Sequence, residues 1–189
     1  MTLQFENDLE EAIETYREQT SEMEPDQLTQ LLDVESLWEA EGQLLETLPR
    51  KLEDDGRIDE RTDLEAIALW KFPIVVRYVR DAPIETIRDI SRQAFATNDI
   101  TARVTSLTKL PGVGPSMATT IEMFRDPDSY TVMDPRATRA LTTYGYWDGP
   151  TEASLPHYRA YLETCREIAT TTGFTLRDVD RGLFVLGGE

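Results

Sequence analysis

One five-residue string, Leu110-Pro111-Gly112-Val113-Gly114, constrains this chain more than any other feature. It lies between two segments of helical hydrophobic period. Ile100, Val104 and Leu107 precede it, and Ala118, Ile121 and Phe124 follow it. Two glycines around one apolar residue allow a sharp turn and a close backbone approach. Pro115 opens the second helix with its φ already set. The string therefore predicts a tight hairpin between two helices, anchored in the core by Leu110 and Val113.

Helical spacing recurs through the rest of the chain. Leu9, Ile13 and Tyr16 predict an acidic helix over residues 3–18, followed by a polar loop over 20–30. Leu37, Leu44, Leu45 and Leu48 predict a second helix ending at Pro49. A charged connector from Lys51 to Arg61 turns at Asp54-Asp55-Gly56. Leu64, Ile67, Ala68 and Trp70 begin a third helix, which Pro73 ends or kinks. Further helices are predicted over 84–95, 135–143, about 154–171 and 176–186, the last turning Val179, Leu183 and Phe184 inward. The expected class is all-α, with an acidic helical segment over 1–60 and a helical domain over 61–189.

Charge is unevenly placed along the chain. Residues 1–68 hold 21 Asp and Glu against 5 Lys and Arg, whereas residues 69–189 hold 15 against 14. Only Lys51, Lys71 and Lys109 are lysine. High acid with little lysine suits the surface of a protein from a high-salt cytoplasm; the alternative is an acidic arm that shields a DNA face. At molar salt the Debye length is about 3 Å, so long-range attraction to a polyanion contributes little. No window approaches a membrane-spanning apolar run, and the acidic N-terminus has no signal-peptide pattern, so a cytoplasmic protein without a membrane partner is expected. A single cysteine, Cys165, excludes an intrachain disulfide and a four-cysteine zinc or iron–sulfur site. No metal or cofactor is expected.

The hairpin points to phosphate. A helix N-terminus presents free backbone N–H groups and a partial positive charge, so it binds phosphate without a basic side chain. The N–H groups of Gly114, Ser116 and Met117 would supply the grip, and the Ser116 hydroxyl a further donor. The competing reading is an ordinary helix–helix turn.

Sixteen residues after Gly114 an extended run, Tyr130-Thr131-Val132-Met133, leads into Asp134. Asp134 precedes Pro135 and is placed to cap the helix that follows. The complete string, with Asp134 18 positions after Ser116 and five before Arg139, resembles the helix-hairpin-helix DNA glycosylase superfamily of endonuclease III and the 8-oxoguanine glycosylases. The resemblance covers residues 64–145 best and 62–188 loosely. It implies double-stranded DNA as partner and a place in base-excision repair. It also implies that Asp134 stabilises cationic character on the sugar, or orients water, as a damaged base departs.

The departures from that pattern are specific. Bifunctional members carry a lysine where this chain has Ser116, so no Schiff base forms by that route. Where many members have Asp-x-His, this chain has Asp134-Pro135-Arg136, and Arg136 is expected to pair with Asp134 and partly neutralise it. The chain is closer to uncharacterised glycosylase-like proteins with a Val/Ile-x-Asp-x-Arg-Ala pattern and a C-terminal Leu-Arg-Asp-Val-Asp-Arg.

Other residues admit two readings each. Arg136 and Arg139 either meet DNA phosphates or pair with Asp178 and Asp180. Trp70-Lys71-Phe72 offers a stacking platform, or Trp70 belongs to the core. Tyr144, Tyr146 and Trp147 wall a base pocket or pack structurally. His157 lies on a polar face without partners, and Cys165 reads as a small core residue. The leading expectation is a DNA-binding protein acting as a monofunctional N-glycosylase. The alternatives are a non-catalytic DNA-binding protein on the same scaffold and an acidic protein-interaction module.

Overall fold

The structure, a computed structural model, describes residues 2–188. Among them the chain forms α-helices and short 3-10 turns, with no strand. The helices are α1 (Leu3–Glu22), α2 (Gln27–Leu32), α3 (Leu37–Asp54), α4 (Arg61–Lys71), α5 (Val76–Asp81), α6 (Ile84–Phe95), α7 (Ile100–Leu107), α8 (Pro115–Arg125), α9 (Pro135–Thr143), α10 (Tyr158–Thr172) and α11 (Leu176–Leu186). Side chains start many of them. Thr2, Ser36, Asp99, Asp134 and Thr175 each accept a backbone N–H from the first turn they precede.

Two local expectations are corrected. Residues 20–30 are not simply loop: α1 runs on to Glu22, and Asp26 and Thr29 form a reciprocal capping box that starts α2. α3 does not stop at Pro49 but continues to Asp54. Proline removes one helical hydrogen bond, yet Leu48 and Leu52 on either side are buried and hold the helix on course. The segment after Pro73 forms a 3-10 turn and then α5, fastened by buried Val76 and Val79.

The boundary expected at residue 60 separates charge, not packing. Phe5 and Leu9 of α1 are fully buried in the same core as Ile67, Phe124 and Leu183. α1 lies so close to α11 that a Cβ on Gly182 would stand 2.5 Å from Leu9 Cδ1. The acidic side chains of the first sixty residues mostly face solvent, while their apolar stripe completes the fold.

The extended run before α9 has no partner strand. It is pinned instead by two fully buried tyrosines of α10. Tyr158 Oη donates to Thr131 O (2.7 Å) and Tyr161 Oη to Val132 O (2.9 Å). Met133 N donates to Thr119 Oγ1 of α8 (3.0 Å). These bonds satisfy a buried irregular backbone and deliver Asp134 to a fixed place.

Candidate functional site

The hairpin forms as the sequence predicts. α7 ends at Leu107, Val113 N donates to Leu110 O (3.1 Å), and Gly112 takes φ +79°. Pro111 before a glycine of positive φ fits a type II turn. Leu110 and Val113 are buried, so their side chains anchor the hairpin and offer nothing outward.

The two glycines do different work. A Cβ on Gly112 would meet Tyr78 Cβ at 3.1 Å and Val75 O at 3.2 Å, and its φ disfavours any other residue. Gly112 is a demand of the fold. Gly114 is exposed, has an ordinary φ of −90°, and an added Cβ would meet nothing within 4 Å. It caps α8 without any side-chain hydrogen bond. Here the expected Ser116 donor is corrected: its Oγ is buried without a partner, and Met117 is buried as well. Any grip at this end of α8 is therefore a backbone grip. Beside it runs an exposed shelf of Ile74 (78%) and Tyr78 (46%), with the Arg77 guanidinium 4.7 Å above the Tyr78 ring.

Asp134 caps α9 as expected, its Oδ1 accepting from Arg136 N at 2.8 Å. The expected ion pair with Arg136 is not formed. The Arg136 guanidinium lies 4.5 Å over the Phe184 ring, and Asp134 Oδ2 takes the ammonium of Lys71, from the end of α4. Both side chains are almost wholly buried, at 7% and 9% exposure. A buried pair of this kind is held by geometry on both sides: the carboxylate by its cap, the ammonium by aromatic rings of Phe72 and Phe184 at 5.5 and 5.7 Å. An amine thus reaches Asp134 from another helix, while Ser116 lies buried at the hairpin.

Lys71 and Arg136 line a cavity of about 340 Å³. Trp70 and Phe184 form flat walls, and Tyr16 and Thr20 of α1, with Met23 just past its end, contribute one side. Trp70 is half-buried and packs edge-on against Phe124, so it serves core and cavity together. Its Nε1 is buried with no partner. Arg177 and Asp180 of α11 also line the space.

Arg177 organises a buried network. It donates to Glu41 Oε2 (2.8 Å), to Tyr16 Oη (3.1 Å) and to Asp180, while Arg181 donates to Glu41 Oε1 (2.6 Å). Burial would raise the Glu41 carboxyl, but the charges and hydrogen bonds of Arg177 and Arg181 outweigh it and hold the group at about 2. For Asp180 burial wins: despite Arg177 and Lys71 nearby, its carboxyl is pushed up to about 6. Asp178 pairs with Arg181 (2.7 Å) and Asp180 with Arg177, while the Arg136 guanidinium stacks on Phe184. Arg139 is exposed on α9.

The remaining candidates are structural. Tyr144 and Tyr146 pack on Phe5 with ring centroids 4.8 Å away, and Trp147 packs edge-on against Tyr161, so none of the three lines the cavity. His157 bonds Ser154 Oγ at 2.8 Å on the surface. Cys165 is buried, and burial pushes its thiol well up. The sequence offers Lys71 only within a stacking platform with Trp70 and Phe72, and not as the partner of Asp134. Its signal was weak: one of three lysines, set between two aromatic residues before a proline. Among the described residues no helix is long and apolar enough to cross a membrane. Comparison with protein-family models, curated proteins and solved structures finds no match for this chain.

Proposed function

We propose that this chain binds double-stranded DNA on a helix-hairpin-helix glycosylase-like scaffold and acts as a DNA N-glycosylase. Gly114 carries the reading. Nothing in the fold demands a glycine there, whereas a phosphate approaching the uncapped N-terminus of an eleven-residue helix does benefit from a missing Cβ. The exposed Ile74–Tyr78 shelf with Arg77 beside the hairpin adds apolar and cationic surface suited to a nucleic acid.

Asp134 and the cavity supply the chemistry. A base turned out of the duplex needs a partly dry pocket with flat walls, which Trp70 and Phe184 provide. As the glycosidic bond lengthens, the sugar becomes cationic, and a fixed carboxylate lowers the energy of that state. Lys71 keeps the carboxylate in place until the sugar arrives.

Duplex binding followed by fluorescence anisotropy at molar salt tests the reading. Gly114→Ala is expected to weaken binding at least about tenfold with an unchanged melting temperature; an equal affinity overturns it. Base release from lesion-bearing duplexes tests the chemistry, and Asp134→Asn is expected to abolish it.

The Lys71–Asp134 contact favours a second course, in which the amine and not water attacks. Lys71 Nζ gives a proton to Asp134 Oδ2 and attacks C1′; the C1′–N bond breaks, and the departing base takes that proton. The resulting N-glycosylamine opens as its C1′–O4′ bond breaks and O4′ takes a proton from Nζ, leaving an iminium that borohydride reduces. A trapped adduct present in wild type and absent in Lys71→Arg supports this course; its absence from both leaves water as the nucleophile.

A further inference from the structure

We infer that Asp180 is the proton donor to the departing base. This rests on the glycosylase reading above, in the course where water attacks, and names a further catalytic group of the same site.

Two carboxyls stand at the cavity, and their oxygens are spent differently. Asp134 has none to spare: Oδ1 accepts from Arg136 N and Oδ2 from Lys71. Asp180, 3% exposed, lines the cavity from α11. Its Oδ2 is held by Arg177. Its Oδ1 bonds nothing among the described residues and, unlike Trp70 Nε1, is not sealed off. An unspent carboxyl oxygen thus opens on the space that Trp70, Lys71 and Phe184 also line. Two carboxyls so differently held suit different duties, a fixed anion and a proton donor.

The rest of the lining is poorly suited to giving a proton near neutral pH and taking it back. Gln19 and Thr20 carry no group that titrates there. Arg136 and Arg177 stay cationic, and Lys71 is tied as an ammonium to Asp134. Burial holds the Tyr16 hydroxyl far above its usual range.

The surroundings of Asp180 suit the task. Burial acts first and pushes its carboxyl up to about 6. Arg177 of the same helix and Lys71 of α4 oppose that, while Asp134 before α9 and Glu41 of α3 add to it. Arg136 of α9 shares the lining. Tyr16 of α1 and Tyr158, Tyr161 and Cys165 of α10 also feel the Asp180 charge, and burial keeps all four neutral. A general acid works best when its proton is held about this firmly.

The step balances with water alone. Asp180 Oδ1–H gives its proton to an acceptor atom of the base as the C1′–N bond breaks and its electron pair leaves with the base. Water adds to C1′, and its surplus proton returns to Asp180. Between the two events the Asp180 carboxylate keeps its Arg177 partner.

The test follows kcat/KM for base release by the full chain from pH 5 to 9. The duplexes each hold one hypoxanthine, uracil or 8-oxoguanine. Wild type is expected to lose about tenfold per pH unit above the midpoint of the Asp180 carboxyl, read separately by ¹³C NMR. Asp180→Asn keeps an acceptor for Arg177, so a native-like melt is expected. It should lose at least about 100-fold at pH 6 and show a flat profile. A wild-type profile without the fall overturns the inference. So does Asp180→Asn with the wild-type rate or an unchanged fall. In those cases base release itself persists, and the glycosylase reading survives. Release from none of the duplexes overturns both. If Asp180→Asn fails to fold, agreement or disagreement between the wild-type fall and the NMR midpoint decides.

Discussion

Lys71, the last residue of α4, and Asp134, the N-cap of α9, are 63 positions apart in the chain and meet as a buried ion pair at the edge of the cavity. Neither charge is solvated, so each depends on the other. Lys71→Met should destabilise the fold by about 3–5 kcal/mol, because Asp134 is left charged and buried. Asp134→Asn keeps a capping side chain but strands the ammonium, with a loss of similar size. The double variant should recover much of the loss. Urea unfolding of the four proteins measures the coupling, and strict additivity would show that the two groups do not interact.

The glycines of the hairpin separate fold from function. Gly112→Ala forces a Cβ into a positive-φ site against Tyr78 and Val75, and should cost about 1–3 kcal/mol in thermal unfolding. Gly114→Ala should stay within about 0.5 kcal/mol of wild type, since its added Cβ meets nothing. A double substitution would confound the two effects, so binding must be tested with Gly114→Ala alone.

Glu41 and Asp180 pull stability in opposite directions with pH. The folded Glu41 value of about 2 lies below its ordinary 4.5, so its contribution is present above pH 4.5 and is lost as pH falls toward 2. That contribution is on the order of 3 kcal/mol. Asp180 is raised from 3.8 to about 6, so its contribution is present below pH 3.8 and is lost as pH rises through 6. Glu41→Gln should remove the acid-limb loss in pH-dependent urea unfolding.

The Asp180 midpoint also reports its neighbours. Burial raises it first; the charges of Arg177 and Lys71 lower it, and that of Asp134 raises it. In ¹³C-carboxyl NMR titration the midpoint should fall in Asp134→Asn and rise in Lys71→Met. Shifts of the reverse sign would contradict the charge arrangement at the cavity.

Removal of α1 tests whether the acidic segment is an appendage. A chain lacking residues 1–22 loses Phe5, Leu9 and Tyr16, which cover α11 and one side of the cavity. It should unfold without a cooperative thermal transition. A sharp native-like melt would show that the remaining helices form their own core.

The hairpin and the helices at 84–95, 135–143 and 176–186 were legible in the sequence because their signals are local: a 3.6-residue period, a capping residue, a proline or glycine at the end. The cap by Asp134 was legible for the same reason. Passage of α3 through Pro49 was not, since burial of Leu48 and Leu52 overrides a local breaker. Nor was the partner of Asp134. Arg136 is two residues away, but its backbone N–H takes Oδ1 and its guanidinium turns to Phe184. Sequence alone determined an all-helical chain with a glycine hairpin and an aspartate at a helix start, because backbone propensity acts over a few residues. Only tertiary structure decided that α4 brings Lys71 to that aspartate, and that α1 and α11 enclose the space beside it. Those contacts depend on how helices distant in the chain pack, and no short stretch of residues encodes that distance.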